Sequence, residues 1–264
     1  MSDPAADTAF VALVPRAAQH RAWLTWLALA SLALAASATI VMVLAGYGYR
    51  FGWWGLGSAF AILRSVAYLG AAIAGLSLLV AIACVLLGRR RLALAPLLGV
   101  ALAAIAFALP YSLQMRGSSV PAIHDITTDF ADPPRFVLLK SLREGTPNGE
   151  TYGGSIVADQ QRRAYGDIGP VMLKLTSDQA MARVLSIAQD MGWDIAGVAE
   201  MLLEATATTP WFGFKDDIVV RVRPATIDGV AGSRIDIRSV SRIGKSDLGT
   251  NARRVRETIE RLQR

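Results

Sequence analysis

The sequence predicts a membrane α-helical protein with an appended soluble α+β domain, whose antiparallel sheet carries two helices on one face in β-α-β(4)-α order. Three observations lead there. Hydrophobic residues make up 53% of the 264, and mean hydropathy is +0.39, high for a water-soluble chain. Three uncharged apolar runs lie close together in the N-terminal half, each long enough for the roughly 20 helical residues that cross about 30 Å of hydrocarbon. Beyond them the pattern changes to alternating strands and one-sided helices.

The apolar runs cover residues 22–45, 65–88 and 92–113, with Arg21, Arg64, Arg89 and Arg116 at or beyond their ends. Arg16 and Arg21 precede the first run and Arg89, Arg90 and Arg91 fill the turn between the second and third, while the first loop offers only Arg50 and Arg64. Basic residues stay on the cytoplasmic side, so the N-terminus and the Arg89–Arg91 turn are expected inside and residues 116–264 outside, in the periplasm of a bacterial inner membrane. Ala36-Ser37-Ala38 has the small-x-small form of a signal cleavage site, but the run continues past it to Ala45, so the first helix is expected to be retained. Tyr47, Tyr49, Phe51, Trp53 and Trp54 read as an interfacial aromatic belt. Spans without ionisable groups offer no ion path or proton relay. The boundaries drawn are a cytoplasmic N-terminus over 1–21, the three-helix region over 22–115, a Pro-rich linker over 116–134 and a periplasmic domain over 135–264.

Charge belongs mainly to the membrane half. Residues 1–115 hold seven Arg against Asp3 and Asp7, whereas residues 116–264 hold 20 Lys+Arg against 19 Asp+Glu. The pI near 9.8 is therefore a topology signal, and no nucleic-acid partner is expected. Cys84 stands alone inside an apolar run, which leaves neither an intrachain disulfide nor a cysteine metal cluster to form.

In the soluble half, Gly117-Ser118-Ser119 with Pro121, Pro133 and Pro134 reads as irregular linker, and residues 144–154 as a second irregular patch. Residues 171–175 read as a strand. Thr176 and Gln179, at capping-box spacing, open a helix carrying Met181, Val184, Leu185, Ala188 and Met191, and Gly192 stops it. Strands follow at 193–198, 202–208, 218–222 and 234–243, then a helix over 251–263 with Asn251 as its expected N-cap. Period-2 alternation puts Ile235, Ile237, Ser239, Ser241 and Ile243 on one sheet face with Ile218, Val220 and Val222. The other face takes Asp217, Arg221, Arg223, Arg234, Asp236, Arg238 and Arg242, with Glu204 and Thr206 beside them. Two uses of that face are open: a solvated surface laced by ion pairs, or a preorganised site where Arg forks receive a carboxylate or phosphate.

Gly244-Lys245-Ser246 resembles the end of a phosphate-binding loop, but Ser239 stands where the leading Gly belongs and residues 239–243 read as strand. HExxH, GxSxG and GxGxxG are absent from the sequence. His124, Asp125 and Asp129 at the domain entry could bind a divalent metal or orient a general base, but linker residues of this kind more often cap turns and dock the linker. Asp216 and Asp217, being adjacent on a strand, point to opposite faces. Asp247 is placed for the positive end of the last helix. No metal site or cofactor is expected.

The segments Arg238-Ser239-Val240-Ser241-Arg242-Ile243-Gly244, Ser246-Asp247-Leu248-Gly249 and Asn251-x-x-Arg254 resemble the signature end of the family called domain of unknown function 1499. Glu204-Ala205-Thr206, then Trp211-Phe212-Gly213-Phe214-Lys215-Asp216-Asp217 and Arg221, look like the same family's preceding segment. The run from His124 to Asp129 with Pro133-Pro134 resembles the entry of a membrane-anchored bacterial subgroup. Members often carry a Cys near that entry, and this chain has none there. The resemblance implies an envelope or organelle-membrane setting without a reaction or cofactor, and marks Arg238, Ser239, Ser241, Arg242, Asp247, Asn251, Asp216 and Asp217 as motif positions.

The leading expectation is a non-catalytic, membrane-anchored periplasmic domain that binds an anionic lipid, glycan or envelope protein, with the lipid bilayer as its first partner. Its alternatives are an envelope enzyme using His124, Asp125 and Asp129, and a structural subunit of a membrane complex.

Overall fold

The structure is a computed structural model that describes residues 16–264, with side chains from Ala22 onward. Asp3 and Asp7, and the side chains of Arg16 and Arg21, lie outside the described residues. Among these, the chain forms two compact units. One comprises the chain up to Gly48 together with Trp54–Tyr111, and the other Ser112–Arg264 together with Tyr49–Trp53.

The first unit is built from α2 (Leu56–Leu86) and the greater parts of α1 (Arg16–Arg50) and α3 (Leu94–Ser119), three helices each long and apolar enough to cross a membrane. Helix α2 starts well before residue 65, because only residues 51–55 are needed to turn the chain after α1. Arg64 therefore lies within α2 and is exposed; at 31 residues and 1.5 Å per residue the helix outruns the hydrocarbon, so this position needs no buried charge. Large side chains such as Trp26, Leu79 and Leu86 point outward, while small residues meet between helices. A Cβ on Gly70 would lie 3.0 Å from the Ala103 carbonyl oxygen, and one on Gly99 3.2 Å from Ser77 Oγ. Thr39 Oγ1 donates across to the Leu102 carbonyl at 3.1 Å. Cys84 is fully buried in this packing, as a small apolar residue would be.

In the second unit the end of α3 is followed by strand β1 (Asp125–Thr127), inside the stretch the Pro-rich composition marks as linker. Gly117–Ser119 likewise continue α3, so prolines at 121, 133 and 134 flank regular structure without excluding it. Two short helices, α4 (Lys140–Arg143) and α5 (Gly154–Ala164), follow and have no counterpart in the sequence expectation. Then come β2 (Val171–Leu173), α6 (Ser177–Asp190), β3 (Asp194–Ala199), β4 (Leu202–Thr208), β5 (Lys215–Ile227), β6 (Val230–Ser241) and α7 (Thr250–Gln263). All pairings are antiparallel in the order β1-β6-β5-β4-β3, with β2 also on β6.

The capping box of α6 is present in both directions: Gln179 N donates to Thr176 Oγ1, and Thr176 N donates to Gln179 Oε1. Strands β5 and β6 run farther than their alternation implies, meeting at Asp228-Gly229, both with positive φ. Pro224 and Gly232 mask that continuity in the sequence, although both sit in the ladder. Helices α6 and α7 pack on one sheet face over Ile218, Val220, Val222, Ile235 and Ile237, together with Val184, Val255 and Leu262. The opposite face is covered as well. Phe136 and Leu139 pack there on Val219 and Val240, drawing residues 128–150 across the sheet. Gln161 of α5 is fully buried; its amide accepts from Thr127 N at 3.1 Å and donates to Thr127 O at 2.7 Å.

Candidate functional site

Alternation along β5 and β6 sorts the charged residues as the sequence predicts, but the arginine-rich face is not solvated. Arg238 is 2% exposed and grips Asp125 with two bonds, Nε to Oδ1 at 3.0 Å and Nη2 to Oδ2 at 2.7 Å. Its remaining donors reach the carbonyls of Pro134 and Glu150. Beside it, Asp217 is fully buried between Arg143, at 2.7 Å, and Arg242, whose Nε and Nη2 donate at 2.9 and 2.8 Å. Thr206 Oγ1 donates a fourth bond to it at 2.7 Å. Glu204, also fully buried, accepts from the backbone N–H groups of Val137, Leu138 and Leu139. The partners of these groups come largely from residues 125–150, which lie far away in sequence; alternation within a strand cannot show that cover. Arg238 and Arg242 are thus committed to internal carboxylates and do not form an open anion site.

At the margin of this face Arg221, Arg223 and Arg234 meet Asp129, Asp132 and Asp236. Three cations and three carboxylates balance, with the closest approach 2.6 Å from Arg223 Nη2 to Asp236 Oδ2. Burial works to raise the pKa of Asp129, but backbone N–H bonds from Asp132 and Ala131, with Arg234 and Arg223 nearby, outweigh it and hold the carboxyl below its usual range. For Asp217 burial is likewise outweighed, by the bonds from Arg242, Thr206 and Arg143, and its pKa is also lowered.

The helix-side face gathers the other motif residues. Ser239 Oγ donates to Asn251 Oδ1 at 2.7 Å, and Asn251 Nδ2 donates to Ser241 Oγ and to the His124 carbonyl, both at 3.0 Å. Arg254 donates to Ser239 Oγ at 2.9 Å, to Asp216 Oδ2 at 2.8 Å and to Asn251 Oδ1. Asn251 is therefore a buried hub inside α7 and not its N-cap. The capping position falls to Gly249, whose φ of 75° glycine adopts freely. Asp247 serves the helix end, accepting from Gly249 N at 2.9 Å and Asn251 N at 2.6 Å. Burial pushes the Asp247 pKa up; those two backbone bonds oppose it and neighbouring Asp216 adds to it.

Asp216 and Asp217 serve opposite faces, as adjacent strand residues must. The entry residues also separate: Asp125 pairs with Arg238, Asp129 joins the marginal cluster, and His124 contributes its carbonyl to Asn251 Nδ2 and Ser241 N. Among the described residues no three His, Cys, Asp or Glu stand close enough to hold a metal. Arg143 and Gln161 are structural anchors the sequence reasoning missed. Arg143 closes the apolar run that begins at Phe136, a place where a basic residue reads as a solvated helix end.

The opposed shifts predict a turning point in stability. Asp217 and Asp129, with folded pKa values below the unfolded value near 3.9, stabilise the fold above that pH, and this contribution is lost as pH falls through the folded values. Asp247, with a raised folded pKa, costs stability when ionised, and the cost is relieved as pH falls through that value toward the unfolded one. Denaturant titrations across pH should show stability rising from neutral pH into the mildly acidic range and falling below about pH 4. In Asp247→Asn the rise should vanish; an unchanged rise would assign it elsewhere.

Three candidate membrane spans and an antiparallel sheet with helices define a membrane protein carrying an α+β soluble domain. Residues 125–262, more than half of the chain, match the family model described as protein of unknown function (DUF1499), and the chain belongs to that family. No curated protein and no solved structure matches it.

Proposed function

We propose that the chain is a multi-pass protein of a bacterial inner membrane, with its N-terminus in the cytoplasm and its soluble domain in the periplasm. There the domain binds an anionic partner (a lipid, a glycan or an envelope protein) without catalysing a reaction. The observation that carries this reading is a division of charge. The carboxylates Asp125, Asp129, Asp216 and Asp217 are each held by arginine. Lys215, Lys245 and Arg253, next to the motif residues in sequence, are exposed and make no ion pair among the described residues. Committed carboxylates supply no free acid–base pair, whereas uncompensated cations attract anions. The enzyme alternative draws no support from the entry, where Asp125 and Asp129 are bound into separate clusters.

Two measurements test this. Alkaline phosphatase fused after Arg264 should be active in bacterial cells, and an inactive fusion in a full-length, membrane-inserted product would overturn the periplasmic placement. Native mass spectrometry of the full chain in mild detergent should reveal a retained anionic lipid, glycan or protein. Its absence, with the Lys215→Gln/Lys245→Gln/Arg253→Gln variant indistinguishable from the parent, would overturn the binding role.

A further inference from the structure

The cleft where the end of α6 and the start of β3 meet the end of β4 and the first turns of α7 measures about 240 Å³. Met191 and Trp193 supply apolar wall, and Thr208, Thr250, Arg253 and Arg254 supply donors. Its two arginines differ. Arg254 is pinned by Asp216 and Ser239, so its position is set by the motif and its charge is balanced. Arg253 is exposed, with no ion pair among the described residues. Glu257 also lines the cleft, and its charge is matched by Arg261 at 2.7 Å, so Arg253 remains as the cleft's cation without an ion pair among the described residues.

Size and chemistry together narrow the occupant. The volume falls below the roughly 300–1,000 Å³ of pockets that bury drug-sized ligands, so a compact group fits and an extended glycan does not. Guanidinium and hydroxyl donors match phosphate oxygens, while half-buried Met191, backed by the core residue Trp193, offers a small apolar contact. We propose that this cleft takes the phosphate-bearing end of an anionic lipid, with Arg253 as the residue that recognises the charge. The proposal rests on the binding role given above and assigns it a place.

The test uses the full chain in dodecyl maltoside, titrated calorimetrically with dihexanoyl phosphatidylglycerol and, separately, with inorganic phosphate. The short-chain lipid should bind the parent protein more tightly than inorganic phosphate does. Arg253→Gln should weaken lipid binding at least tenfold without moving the melting temperature, because Arg253 is exposed and makes no ion pair among the described residues. Equal lipid affinity in parent and variant would overturn the cleft assignment while leaving the binding role in place. Inorganic phosphate binding as tightly as the lipid would overturn the lipid as occupant in favour of the free anion. Binding of neither probe would overturn the proposal, and an anionic species retained in native mass spectra would then keep the broader role alive at another site.

Discussion

Arg143→Gln is expected to lower the stability of the soluble unit by about 3–5 kcal/mol, or roughly 6–20 °C in melting temperature. Arg143 and Asp217 are both fully buried, so removing the cation leaves a carboxylate with fewer donors in a place water does not reach. The same guanidinium also donates to the carbonyls of Gly149 and Val240, and lies 4.9 Å from the Phe136 ring centre. Its loss therefore loosens the segment that covers the far sheet face. Asp217 keeps Arg242 and Thr206, which places the effect toward the lower end of the range. Arg242→Gln should cost less, because Arg242 is partly exposed and water can reach the vacated position. Thermal unfolding of the full chain in detergent checks the order; equal losses for the two variants would contradict the burial argument.

The second large effect falls on Arg238. Arg238→Gln should also cost about 3–5 kcal/mol, since it strands the buried Asp125 carboxylate and removes the guanidinium that lies over the Phe136 and Tyr152 rings. The paired change Arg238→Met with Asp125→Leu should recover most of that loss, because an apolar pair needs no compensation in a dry site. A double-mutant cycle by denaturant unfolding measures the coupling, and a double variant as unstable as the sum of its parts would show that the pair was not coupled. Loss of binding in Arg238→Gln would therefore be confounded with loss of fold. The exposed Arg253 is the position where charge can be removed without that cost.

Much of this architecture is readable from local pattern. Uncharged runs give the spans, Thr176 and Gln179 give the start of α6, and alternation through Ile235 and Ile237 assigns the faces of β6. What escapes is whatever depends on a distant partner. Strand β1 is three residues long and exists because β6 pairs with it, so no local periodicity announces it. Asn251 has the right chemistry for a cap, but Ser239 and Ser241 of β6, on the face that α7 covers, claim its side chain. Opposed Arg and Asp on one face read as a wet ion-pair lattice, because nothing in β5 or β6 records that Phe136, Leu139 and Arg143 close over them.

The amide of Gln161 has a consequence for life in a bilayer. A protein confined to a membrane meets its own copies in two dimensions, where a bare strand edge invites one domain to stitch onto the next. By taking both backbone groups of Thr127, Gln161 imitates a neighbouring strand at that position of β1. At the far side of the sheet the irregular register between Ile195 and Gly197 breaks the ladder of β3, the other edge. One side chain and one bulge thus interrupt the ladders of β1 and β3, where an added strand would otherwise find a regular row of partners.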